Sequence, residues 1–271
     1  MKSILTLKKL YYNDHISKLN PQGKTEEEME KARKRCQSVA EVRAFIDTLI
    51  DEEHRSLSIF NFTGKTRDGQ MHLDSKEALR AKDLVCKFIW GYSWSELKKI
   101  YKTEDNIKKY ISRNSVLMRR LKNGNNVAIY GGLNAPCGRT MIASIIMKEV
   151  IKMRLFTPNI ISQTYDWTDF PTLIDTLREN AKEAPDYRTA DWLVVDNIYV
   201  EKGESKGSRA YRSGLLDSFF MYRLKNNLPT ILVFQYDIRS RTEALYKTLG
   251  IGISSIVNSP RVCRIPLNKR S

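Results

Sequence analysis

The stretch 125–140, NNVAIYGGLNAPCGRT, decides the fold. Val127-Ala128-Ile129-Tyr130 is a short apolar run that stops at Gly131-Gly132. A loop follows, then Gly138-Arg139-Thr140, and residues 141–147, MIASIIM, continue at helical period. Strand, glycine loop, basic residue with hydroxyl, then helix is the layout of a phosphate-binding loop. The glycines let backbone N–H groups curl around phosphate oxygens, the helix N-terminus adds positive potential, and the threonine hydroxyl is a ligand for Mg²⁺. The spacing departs from the usual form. Six residues separate Gly131 from Gly138, or five counting from Gly132, and Arg139 stands where lysine is expected.

Downstream of this loop, apolar runs alternate with amphipathic segments. Residues 158–163 read as a strand and 170–182 as a helix. Residues 190–197, ADWLVVDN, form a buried strand ending in a carboxylate, 201–209 a Gly/Ser/Lys-rich mobile loop, and 211–226 a helix. Residues 228–235, LPTILVFQ, are another buried strand with a polar end. Residues 240–249 read as a helix broken by Gly250 and Gly252, and 262–267 as a last strand. Continuously apolar strands separated by helices predict a parallel α/β sheet covered on both faces.

Three strand ends then belong together: Arg139-Thr140, Asp196 and Gln235. Ligands of open parallel sheets sit at the carboxyl ends of the strands. An apolar run ending in Asp has the form of a Walker B strand, whose carboxylate holds Mg²⁺ through its waters. Gln235 is a candidate sensor for the attacking water or the γ-phosphate, or else a turn residue.

These motifs resemble the AAA+ helicase-loader family, the DnaC/DnaI type together with the IstB-like transposition ATPases, over residues 106–267. Residues 126–131, NVAIYG, look like the strand entering Walker A, 191–198, DWLVVDNI, like Walker B, and 228–235 like the sensor-1 strand, with Gln235 at the usual Asn. The resemblance implies a P-loop NTPase (AAA+-like) domain over 106–271, preceded by a mainly helical N-terminal partner- or DNA-binding region over 1–105. It also implies ATP and Mg²⁺ bound between subunits of a homo-oligomer, single-stranded DNA as ligand and a replicative helicase as partner. Gly131, Gly132, Gly138, Arg139 and Thr140 then bind nucleotide, Thr140 and Asp196 hold the metal, and Asp196, Asn197 and Gln235 form the catalytic set. Arg239, Arg241 and Arg261 are candidates for an arginine finger or second sensor.

The departures bear on turnover. A planar guanidinium fork at Arg139 is not a compact ammonium. Asn197 occupies the position of the acid that polarises water, and an amide cannot act as a base. The expectation is a degenerate P-loop ATPase that keeps ATP binding while hydrolysis is weak or lost: a replication accessory protein, plausibly phage- or mobile-element-encoded. The alternatives are an IstB-like subunit acting on duplex DNA, and a non-enzymatic interaction protein on a decayed P-loop fold.

Upstream, residues 1–24 read as an irregular arm. Thr25 with Glu28 makes a capping box ahead of a helix running to about residue 51, with an interruption expected near Ser38. Further helices are predicted over 75–90, 93–101 and 103–123. Trp90, Tyr92, Trp94 and Tyr101 read first as core, and second as a surface for stacking bases. Gly64-Lys65-Thr66 only imitates the end of a phosphate loop. The formal charge of +15 points to a polyanionic partner, nucleic acid ahead of other classes. No apolar run reaches the roughly 18 residues of a membrane span, and four scattered cysteines indicate neither zinc nor disulfides. A reduced, cytoplasmic setting is expected. The histidines His15, His54 and His72 all precede the α/β part and have no metal-like spacing.

Overall fold

The computed structural model describes residues 4–19, 25–65, 73, 75–111, 116–131, 138–155, 164–179, 185–200, 205–238 and 242–267. Five parallel strands, β1 (Val127–Tyr130), β2 (Tyr165–Asp169), β3 (Trp192–Ile198), β4 (Thr230–Phe234) and β5 (Cys263–Pro266), form one sheet in the order β2-β3-β4-β1-β5. The expected parallel α/β architecture is therefore present, with β1 inside the sheet between β4 and β5. The Asn126 side chain accepts from the Thr230 N–H, and its backbone carbonyl accepts from the Cys263 N–H, aligning the starts of three strands.

Period-two alternation divides the sheet between two cores. Val127, Ile129, Trp192, Val194, Ile231 and Val233 face one side, where they meet α8 (Arg139–Lys152) and the N-terminal helices. Ala128, Tyr130, Leu193, Val195, Leu232 and Phe234 face the other, against α9 (Phe170–Glu179), α11 (Lys206–Lys225) and α12 (Thr242–Asn258). Helix α8 is buried nearly all round because the sheet lies beneath it and the N-terminal helices above it.

The N-terminal region is helical. The stretch read as an irregular arm forms α1 (Ile4–Ser17), a correction with a clear cause: α1 buries no residue, so its apolar period is faint. It is held on α2 (Glu26–Leu49) by surface chemistry instead. Lys8 lies over the Phe45 ring, Arg43 over the Tyr11 ring, and Tyr11 donates to Asp47. The Thr25/Glu28 capping box is formed, and α2 runs on through Ser38, whose hydroxyl donates to the Lys34 carbonyl. Short α3 (Glu52–Arg55) follows, then α4 (Ser75–Trp90) and α5 (Trp94–Tyr101), the latter begun by a Ser93/Glu96 capping box. The segment read as one helix over 103–123 contains α6 (Glu104–Ile111) and α7 (Leu117–Lys122). The predicted strand 158–163 lies outside the described residues, and β2, which follows it at Tyr165–Asp169, was not anticipated: its sequence YDWTD carries two carboxylates. Helix α10 (Pro185–Thr189) precedes β3. Residues 206–209, read as loop, open α11, and α12 continues past Gly250, which absorbs a kink at φ 87°. Among the described residues no helix is long and apolar enough to cross a membrane.

Candidate functional site

Along β3, Trp192 and Val194 face α8, and the same alternation turns Asp196 toward α8. Beyond it the pairing with β4 is irregular between Val195 and Ile198, and Asn197 takes a left-handed conformation at φ 59°. Asparagine tolerates this better than most residues. The irregularity returns Ile198 to the opposite core and leaves Asn197 exposed at the strand end. Gln235, one residue past β4, donates from Nε2 to Asn197 Oδ1 at 3.1 Å. One hydrogen bond thus links the two amides, and neither offers a base.

Asp196 is 5% exposed, and burial pushes its carboxyl above the usual range. The Asn197 N–H at 2.7 Å, the Thr140 hydroxyl and the charges of Arg139 and His54 oppose that rise. The loop's threonine and the strand-end aspartate expected to share a metal therefore meet in hydrogen-bond contact. Hydroxyl and carboxylate oxygens are hard donors that suit Mg²⁺.

Helix α8 follows its N-cap Gly138, which sits at φ 69° and has no side chain with which to cap the helix. Gly131 has a different reason for being glycine: a Cβ there would lie 1.6 Å from the Leu267 carbonyl oxygen, because β1 and the end of β5 run together at this point. Arg139 Nη1 donates to the Gly131 carbonyl at 2.5 Å, tying the two ends of the loop. Gly132 and the rest of the loop, 132–137, lie outside the described residues, as do Arg239 and Arg241. Arg261 is not at this crevice. Its guanidinium donates to the Asn123 carbonyl beside the amino ends of β1 and β5, the opposite end of the sheet.

A cavity of about 500 Å³ opens where Thr140, Asp196 and Asn197 meet the ends of β2 and α9. Its other wall comes from the N-terminal region: Asp51, the N-cap of α3, and Glu53 and His54 within α3. The sequence reading missed this. A histidine 86 positions before Thr140 has no motif to connect it to the loop. Lys148, 3% exposed on α8, holds that segment by donating to the carbonyls of His54 at 2.9 Å, Arg55 at 3.1 Å and Leu57. Its burial pushes the ammonium down to about 8.

Of the aromatic set, Trp90 and Trp94 are core, with the Lys82 ammonium 4.1 Å from the Trp94 ring centre. Tyr92 is 43% exposed and stands edge-on to Tyr110, which stacks on Tyr101. Gly64 is buried against Leu73, whose Cβ would lie 2.9 Å from an added Cβ. Among the described residues no group of three or more His, Cys, Asp or Glu is placed to hold a metal by itself.

No protein-family model matches the chain, and no curated relative matches it in sequence. Among solved structures, a protein described as a primosome component from Streptococcus pyogenes serotype M3 is similar at 11% identity and a TM-score of 0.44, over 82% of this chain and 92% of that one. DnaI is similar at 15% identity and a TM-score of 0.38, over 62% of this chain and 84% of that one. The DnaC helicase loader is similar at 18% identity and a TM-score of 0.41, over 65% of this chain and 98% of that one. At TM-scores below 0.5 these likenesses carry no argument about residues or activity.

Proposed function

We propose that this chain is a DNA-replication accessory protein of helicase-loader type, binding ATP with Mg²⁺ and turning it over slowly or not at all. The observation that carries the reading is the contact of Thr140 with buried Asp196 at the carboxyl ends of parallel strands, beside the start of α8. When bound, Mg²⁺ would neutralise phosphate charge. Thr140 and Asp196 would hold it, and the α8 N-terminus would face the phosphates. Arg139 keeps a positive charge at the loop. The Asn197–Gln235 amide pair can orient a water but cannot remove its proton, which supports binding over hydrolysis. The +15 charge favours a polyanion, and in this reading it is single-stranded DNA held near a replicative helicase, with nucleotide as an assembly signal. The division of roles between residues 1–105 and 106–271, and a homo-oligomeric assembly, belong to the same proposal.

Titration of the full chain with ATP and Mg²⁺ tests the nucleotide half. Wild-type protein should bind in the micromolar range or tighter, and Asp196→Asn should weaken Mg²⁺-dependent binding at least about tenfold. An electrophoretic shift with a labelled single strand tests the other half. Affinity should fall steeply with salt, by about 0.7 logarithmic units per decade of salt for each phosphate neutralised. No nucleotide binding, or no salt-sensitive binding of single strands, would leave the loader reading without its chemistry.

A further inference from the structure

Along several helices the exposed cations stand one turn from a carboxylate, as Lys31 does from Glu27 and Arg178 from Asp175. Such pairs cancel much of their own field. One face of the molecule is built differently. Residues 106–148, 218–236 and 244–271 contain no Asp or Glu. The fold brings parts of all three together at the amino ends of β1, β4 and β5, which are neighbours in the sheet. There Asn125 Nδ2 donates to the Arg261 carbonyl at 2.9 Å, and the Arg261 guanidinium donates back to the Asn123 carbonyl at 3.2 Å. Gly124 lies so close to the turn after α11 that an added Cβ would be 3.0 Å from the Asn227 Cα.

The arginines of this face are held by neutral acceptors. Arg120 donates to the Phe88 carbonyl at 3.4 Å, Arg261 to the Asn123 carbonyl, and Arg264 to the Val257 carbonyl at 2.9 Å. A carbonyl orients a guanidinium without cancelling its charge, and each fork has further N–H groups for another acceptor. Arg119 on α7 and Lys225 at the end of α11 are exposed beside them, and the exposed amides of Asn123 and Asn226 add neutral donors. Cations mixed with amides suit a phosphate backbone. The two carboxylates of α4, the helix that packs on α7, are occupied: Glu77 by Arg80 at 3.8 Å and Asp83 by the Ser95 N–H at 2.9 Å.

An aromatic ring stands at one margin. The Val116 N–H, just before α7, donates to the Ile89 carbonyl at 2.9 Å, so α7 starts beside the end of α4, where the chain emerges at Tyr92. Tyr92 is exposed and meets Tyr110 edge-on, so part of its ring is open to a base. The carboxylate of Glu96 accepts from the Ser93 N–H at 2.7 Å.

We propose that this face, at the amino ends of β1, β4 and β5, binds single-stranded DNA, with Arg119, Arg120, Lys225 and Arg261 on its phosphates and Tyr92 stacked on a base. The proposal rests on the single-strand reading above and goes beyond it by placing the strand at the end of the sheet away from Thr140 and Asp196. Nucleotide and DNA then occupy opposite ends of the same strands, and a bound strand leaves the crevice open.

The test measures affinity of the full chain for a labelled oligothymidine strand across a salt series, with thermal melting to show that each variant is folded. Arg119→Gln and Lys225→Gln should each weaken binding about fivefold at about 0.1 M salt and each lower the logarithmic salt slope by about 0.7. Lys31→Gln and Arg178→Gln, which remove paired cations elsewhere, should leave the slope unchanged. Tyr92→Ala should lose about fivefold or more with the slope unchanged, and Tyr92→Phe should keep the affinity. Wild-type slope and affinity in Arg119→Gln and Lys225→Gln would overturn this face while leaving single-strand binding standing. A duplex bound as tightly as the strand and indifferent to Tyr92→Ala, or polyglutamate competing as well as unlabelled strand, would overturn the single-strand assignment. Wild-type protein that binds no strand overturns the face and the reading beneath it together.

Discussion

Two glycines of the loop illustrate how one residue type answers different demands. Gly131 has no room for a Cβ, since the Leu267 backbone occupies that place, whereas the nearest atoms to a Cβ on Gly138 are 3.5 Å and 3.9 Å away. Gly131→Ala should therefore force β5 away from β1 and cost more than about 3 kcal/mol, the scale of severe core lesions. Gly138→Ala should cost only about 1–2 kcal/mol for its left-handed backbone, with the sheet intact. Thermal unfolding of the two variants separates these outcomes. Comparable losses in both would mean that the β1–β5 contact is looser than it looks. Asn197 belongs to the same class of residue, because its backbone angle lets Asp196 stay buried while the next side chain reaches solvent.

At the scale of elements, the covering helices are pinned to the sheet by buried cations. Arg223 of α11 is fully buried and donates to Thr230 Oγ1, to the Tyr187, Arg188 and Ala190 carbonyls, and to the Pro229 carbonyl. It stitches the end of α10 and the starts of β3 and β4 to one helix, and burial pushes its guanidinium down to about 9, still charged at neutral pH. Arg223→Met fills much of the volume but strands those acceptors. The expected loss is about 3–5 kcal/mol, as when one partner of a buried charged network is removed. In urea denaturation the midpoint should fall with little change in slope. A loss under about 1 kcal/mol would show that water reaches these carbonyls.

For the whole molecule, the consequential fact is that one apolar cluster runs from Ala78, Val85 and Ile89 of α4 through Met141, Ile145 and Met147 of α8 to Val127 and Ile231 of the sheet. A shortened chain starting at residue 106 would uncover that side of α8. It should aggregate, or bind a hydrophobic dye and lack a sharp thermal transition, while the full chain unfolds in a single transition. A soluble, cooperatively melting 106–271 fragment would count against this coupling. The proposed split of roles at residue 105 concerns what each part binds, and the shared core is the physical route by which the two could inform each other.

The amino-acid sequence by itself determined the parallel α/β sheet and the meeting of Thr140 with Asp196, because these depend on local period and on the topology of parallel strands. The capping box at Thr25 was equally legible, being a contact within four residues. Helix α1 was hidden because surface cation–π and hydroxyl contacts, not burial, hold it, and β2 because its carboxylates break the apolar run. Only the tertiary structure decided that His54 and its acidic neighbours share a cavity with Thr140 and Asp196, that Lys148 bonds the His54 carbonyl, and that Arg261 lies at the far end of the sheet. Those placements come from contacts across many tens of residues, which leave no spacing in the chain to be read.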